Sequence, residues 1–567
     1  MSPFGVLWRT FFGQFFTSET VSSDIQLRNL MTAVIAFLLV PGILLVIELF
    51  FDYQGIVLRA IRYQQFERVT DALEWVEFVF VTYSMVTIGF IAVFEWDTLG
   101  FDRRDAMVLG PLPVAGTTIV AAKLAALAAF LVGAALAVNL PDAFVFAFAT
   151  ADRLGAIALV RHFVGHLTAT VSAAAFVFAA LVIARGLAGL AAGPRLAAAL
   201  GTLLQFLFVA ALLAVVILSP YVIRLPHREL VNPTVTGWLP STWFMAVFEW
   251  LRGSPRAWIV DLSSRAIVGL PAALASAVVV SVAGYRREMR RALSPAATTG
   301  ALGRARLLRG LAHILSGRSR RARGTSDFVL LTLVRERNPR AVIAITAAAG
   351  AAIVLAGLAT RRGSFASLAA PRTAVLWIPL VLAYATAVGL RASFFVPSEL
   401  PAAWTFHVNG PDGALNYRLG IRAAVIAVLT SVAFLTSVAL LPVVGWRVAM
   451  WPPLVATAVA LVLAEGVTLT VDFVPFTRAY EPGHAKLRTR WPLYLVGLFA
   501  FAYWPAKLEV RFLHDPAGLT AVVATLVAIA AVLHALGRQM SGWTGGLTEE
   551  TVDEFYRITV LDIGAVN

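Results

Sequence analysis

The chain has 567 residues, of which 59% are hydrophobic and only 14% charged, with a mean hydropathy of +0.81. A soluble domain would carry about a quarter charged residues, so the composition excludes an ordinary globular protein and leaves a polytopic membrane protein. The net charge of +14 comes from arginine, since only Lys123, Lys486 and Lys507 are lysines, and the lack of cysteine excludes disulfides, thiolate catalysis and Cys-ligated metals.

In chain order, Trp8, Phe11, Phe12, Phe15 and Phe16 follow helical spacing, with Arg9, Gln14 and Glu19 between or just after them. This pattern predicts an amphipathic helix lying in the membrane interface ahead of the first span. Six apolar runs of membrane length follow, at about Leu30–Phe50, Trp75–Phe94, Thr117–Val138, Ala156–Ala184, Leu196–Ser219 and Trp258–Ala283. Glu48 and Glu77 fall at span ends and read as interfacial. Between the fifth and sixth runs lies Pro220–Ala257, with Trp238, Trp243, Phe244, Phe248 and Trp250. Aromatic residues at this density belong at the headgroup level, which predicts a short interfacial or re-entrant helix.

From Arg286 to Arg340 the chain carries fourteen arginines and three acids. Each such charge in hydrocarbon would cost at least ~2.5–3.5 kcal/mol, so the segment belongs outside the bilayer. The positive-inside tendency places it in the cytoplasm. Its charge implies an anionic leaflet or an acidic partner. Nucleic acid is not implied, because Arg286–Arg323 holds no aromatic residue. Six further runs follow, at about Ala341–Ala359, Ala374–Leu390, Gly420–Leu441, Pro453–Thr470, Trp491–Pro505 and Leu519–Leu536. The sequence therefore predicts an all-α polytopic protein of about twelve transmembrane helices. Residues 1–284 form a first six-span half, 285–325 a basic cytoplasmic linker and 326–567 a second, diverged six-span half. Both termini are then cytoplasmic. Arg28-Asn29 followed by Ala33-Val34-Ile35-Ala36, and Arg337-Asn338 followed by Ala341-Val342-Ile343-Ala344, mark the halves as diverged repeats of like orientation.

Three ionisable residues within predicted spans are candidates for a functional role. His162 and His166 share a helix face at i, i+4 and could hold zinc with a third ligand. There is no His-Glu-x-x-His pattern, so a packed pair is the expectation and no metal site is assigned. Glu465 is either a functional intramembrane carboxylate or a residue at a displaced span boundary. No Gly-Lys-Ser/Thr phosphate loop exists, since all three lysines follow alanine.

The loop after the second span, Phe94-Glu95-Trp96-Asp97-Thr98-Leu99-Gly100-Phe101-Asp102-Arg103-Arg104-Asp105, mixes charge with aromatics and closes on Gly110-Pro111-Leu112-Pro113. Such a loop suits docking of a partner. With Lys123 opening the third span, the N-terminal amphipathic helix and the aromatic connection before the sixth span, the layout resembles ABC-2-type permeases, the membrane subunits of bacterial ABC exporters. The resemblance is to a large, two-half member. It implies an exporter subunit of the bacterial inner membrane, not itself an enzyme, working with a separate ABC ATPase in two copies. ATP would bind that partner and no cofactor this chain. It also implies that Glu95, Asp97, Arg103, Arg104 and Asp105 couple to the ATPase, with Glu399 their weaker counterpart in the second half. Family members usually carry six spans per chain, and the second half lacks the aromatic connection. A membrane enzyme acting on lipid or peptide through His162, His166 or Glu465, and a non-transporting scaffold, are the alternative readings.

Overall fold

The computed structural model describes residues 2–15, 53–65, 67–96, 98–101, 103–151, 154–190, 194–222, 237–254, 256–293, 305–359, 375–396, 405–406, 414–444, 450–471, 473–477 and 487–539. Among them there is no strand, and ten helices are long and apolar enough to cross a membrane. The chain divides into two compact units, Met1–Ala296 and Ala297–Asn567.

Unit 1 begins with α1 (Pro3–Gln14), capped by Ser2, whose Oγ accepts from the Gly5 N–H at 3.3 Å, with proline at the first helical position. The apolar stripe predicted there is real: Leu7 and Phe11 are buried while Phe4 and Val6 are exposed. Then come α2 (53–63), α3 (Glu67–Phe94), the short α4 (Arg103–Leu109), α5 (Gly116–Ala151), α6 (Ala156–Leu190), α7 (Pro194–Val222), α8 (Pro240–Arg252) and α9 (Ala257–Leu293). The span expected at Leu30–Phe50 lies outside the described residues. At 1.5 Å per residue, the 36 residues of α5 reach about 54 Å, well beyond the ~30 Å hydrocarbon layer. Helix α6 is the centre of the unit and packs on α3, α5, α8 and α9.

Helix α8 corresponds to the predicted aromatic segment. It starts at Pro240 and stops where Gly253 adopts φ +87°, a left-handed cap that favours glycine. It does not lie open on a surface. Phe244, Met245, Val247, Phe248 and Glu249 are buried against α3, α6 and α9, while Trp238 and Trp250 stay exposed.

Unit 2 comprises α10 (Arg306–Leu315), α11 (Arg320–Arg335), α12 (Arg337–Ala359), α13 (Trp377–Ser393), α14 (Ala414–Val444), α15 (Trp451–Leu469), α16 (Leu487–Leu498), a π segment (Phe499–Tyr503), α17 (Trp504–Phe512) and α18 (Pro516–Gln539). The span expected at Ala374–Leu390 appears as α13, 17 residues long. The core runs from Leu330 through Leu380, Leu390, Val425 and Val459 to Phe476. Much of the stretch read as linker is helical. Tyr285–Leu293 continues α9, and α10 and α11 fold onto α14. Their docking rests on Asp327, which accepts from Arg309 Nε and Nη2 at 2.7 Å each and faces His313 Nε2 at 2.8 Å. Partial burial pushes the Asp327 carboxyl up, but the hydrogen bonds from Arg309 and His313 more than offset this and hold it below the usual carboxylate range.

Candidate functional sites at the two ends of unit 1

At one end of unit 1 three elements meet on two side chains. Asp105 of α4 accepts from Gln14 Nε2 of α1 at 2.9 Å and lies 3.7 Å from Lys123 Nζ of α5. Lys123 donates to Gln14 Oε1 at 3.2 Å and sits 4.7 Å from the centre of the Phe11 ring. Both charges are buried, at 6% and 3% exposure, so each needs the other. The loop is tied to the far ends of α6 and α9 as well. Glu288 accepts from Arg185 Nη1 at 3.0 Å and from the Phe101 N–H at 3.3 Å. A Cβ on Gly100 would come within 2.6 Å of the Arg185 guanidinium, so any larger residue there would have to displace that side chain. A small cavity lies between Phe101, Lys123, Arg185, Gly186, Val280 and Glu288.

Of the coupling candidates, Asp105 faces inward as the tie just described, not outward to a partner. Glu95 is half-buried, and its carboxylate accepts from Thr98 Oγ1 at 3.0 Å. Arg103 and Arg104 form the first turn of α4, with side chains outside the described residues. Asp97 and Glu399 also lie outside them. The outward side of the junction is apolar: Met107, Val108 and Leu112 are exposed while Ala106 and Leu109 are buried.

At the opposite end, the first turns of α3, α6 and α9 and the last turns of α5 gather a polar core. His166 Nδ1 and Glu77 Oε2 are 2.6 Å apart, both side chains fully buried. Sequence position alone put Glu77 at an interface. Helix α8 covers that end of the bundle, and Glu77 is inside. Glu74, one turn earlier, accepts from Arg256 Nη1 at 2.6 Å, and Arg256 Nη2 donates to Asp71 at 3.2 Å. Glu249 accepts from Arg252 Nη2 at 2.5 Å. His162 Nδ1 lies 2.8 Å from Thr150 Oγ1 on α5. The two histidines thus turn to different helices. No three His, Asp or Glu side chains come together as metal ligands among the described residues. Phe146 stacks on the His166 ring at 4.2 Å, with Phe80 edge-on at 5.3 Å.

In unit 2, Glu465 of α15 is 4% exposed and accepts from Arg422 Nε of α14 at 2.5 Å, with His534 Nδ1 of α18 at 3.6 Å. It is a buried, paired residue within the helix and not a free boundary carboxylate. The sequence did not link Arg422 or His534 to Glu465, since a charge in an apolar run does not disclose what it pairs with.

Comparison with known proteins gives no match: no family model, no curated protein and no solved structure corresponds to this chain. Fold and composition define its class, a multi-pass, all-α membrane protein.

Proposed function

We propose that the chain is the permease subunit of an ATP-driven exporter, moved by a separate ATPase that docks on α4. The carrying observation is the junction at α4. Its buried side ties Asp105 to Gln14 and Lys123, while its exposed side offers Met107, Val108 and Leu112, with Arg103 and Arg104 a few positions earlier in the sequence. Apolar anchors flanked by arginine are the residue types that dominate protein interfaces. Force on α4 would pass through Asp105 to α1 and α5, and through Phe101 and Glu288 to α9. The docking loop is therefore joined to spans and is not a loose connection. The ATPase is a separate chain in this reading, because no phosphate loop is present in the sequence. Two units in one chain would supply both bundles of the transport path, with two ATPase subunits bound.

The test is purification of the full chain from its native membrane in mild detergent, with assay of ATP hydrolysis. Wild type should bring down an ATPase, and the double substitution R103E/R104E should lose most of it, since charges at an interface set both encounter and register. Equal ATPase recovery from both, or none from wild type, contradicts the reading.

A further inference from the structure

We propose that Glu77 and His166 form a proton-binding site inside the helical bundle of unit 1. The inference is independent of the ATPase reading. Three carboxylates are fully buried at this end of the bundle: Glu74, Glu77 and Glu249. Each is paired with a basic side chain. For Glu74 it is Arg256 and for Glu249 it is Arg252, cations that stay charged at any accessible pH. For Glu77 it is His166, a base that can gain and lose its proton near neutrality. Of the three pairs, this one can change its proton count.

Each partner also has one buried polar atom that no hydrogen bond satisfies. Glu77 Oε1 and His166 Nε2 are buried without a hydrogen-bond partner among the described residues. One proton lies between Oε2 and Nδ1 in the neutral form of the pair. Loss of that proton leaves a lone buried carboxylate. Gain of a further proton, at Oε1, leaves a buried imidazolium beside a carboxylic acid, because Nε2 already carries its hydrogen in the neutral pair. Both charged forms are disfavoured in a low-dielectric interior, so the pair holds one proton across neutral pH.

The surrounding charges favour retention. Asp142 of α5 and His162 of α6 interact with His166 directly, and the same end of the bundle holds Glu74 and Asp71 with Arg256 and Glu249 with Arg252. Tyr53 of α2 and Tyr83 of α3 belong to the same group. With Arg161 of α6, whose guanidinium borders Gly253 at the end of α8, and counting Glu77, the acids named outnumber the arginines by five to three. Geometry selects the ligand. The imidazole is packed between Phe146 and Phe80, which leaves a proton as the ligand that needs no cavity.

The experiment uses the full chain in lipid bilayers, labelled with 15N in histidine and 13C in the glutamate carboxyl, and read by solid-state NMR from pH 6 to 8.5. The His166 signal is the one lost in H166N. The expected result is one proton on the pair throughout. It appears either as a doubly protonated ring beside a carboxylate, or as an Nε2-protonated neutral ring beside a carboxylic acid. An ordinary imidazole, of pKa about 6.5, would be only ~1% protonated at the upper end. In E77Q the His166 ring should be neutral at pH 8, whereas E74Q should leave its state unchanged. A neutral Nδ1–H ring beside an ionised Glu77 at pH 7 in wild type overturns the proposal, and so does an imidazolium that survives in E77Q.

Discussion

The ion pair Arg422–Glu465 shows how unequal two partners are when they are buried to different depths. The carboxylate side chain is 5% exposed and the guanidinium 25%. Removing the arginine takes the close partner from the more deeply buried charge, whereas neutralising the glutamate leaves the less buried one. R422M should therefore destabilise unit 2 by about 3–5 kcal/mol, the cost of breaking a buried pair from one side. E465Q keeps an acceptor for Arg422 and exchanges a charge-assisted hydrogen bond for a neutral one, a loss of about 1 kcal/mol. Thermal unfolding of the purified variants checks the order. Equal shifts for the two would mean that His534, 3.6 Å from Glu465, already balances the carboxylate. At this scale the sequence showed Glu465, His162 and His166 as unusual, because polar groups stand out in apolar runs. It did not show Glu77 as buried. Ten residues into α3, Glu77 looks like an end residue until α8 folds over it, and that covering is a tertiary fact.

Among the elements, the pair α10 and α11 is the one that composition concealed. Arginine density made 285–325 read as a polar linker, yet Leu308, Ala312 and Leu315 of α10 face the core of unit 2 at helical spacing. The helical pattern was present and was outweighed by charge. Docking through Asp327 has a defined pH response. Its pKa is depressed on folding, so its contribution is fully present above the unfolded value of about 3.9 and is lost as pH falls through the folded one. Amide-exchange protection of α10, corrected for intrinsic rates, should accordingly be flat from about pH 8 to 5 and collapse only below about pH 4. D327N should lower it at least about tenfold at neutral pH, since hydrogen bonds to a charged group contribute roughly 1.5–3 kcal/mol. Protection that declines between pH 7 and 5 in wild type would assign the docking to another group. The long spans were legible for the opposite reason: runs such as Ala156–Leu190 and Leu415–Pro442 have few charges to mask their length.

For the whole molecule, the arginine-rich segment sets the expected orientation, with α10 and α11 in the cytoplasm and α8 on the other side. The cysteine-free sequence makes this directly readable. R318C and W238C place single thiols at exposed positions. An impermeant maleimide applied to intact cells should label W238C and spare R318C; the reverse would invert the topology and move α4 away from any cytoplasmic ATPase. The charged loop before α4 was legible as a docking candidate. Its tie to α1 was not, because Gln14 is 91 residues from Asp105 and 109 from Lys123 and meets them only when α1 lies along α5.

The most direct measurement is a cross-link at Met107, which is 52% exposed on α4 and uninvolved in the buried ties. M107C carrying a photoactivatable group, irradiated in native membranes, should yield an adduct with a soluble protein. That protein should contain a Gly-Lys-Ser/Thr phosphate loop, and the yield should change with ATP. An adduct with lipid alone, or with a partner that has no nucleotide-binding loop, would contradict the account of this chain as a permease driven through α4.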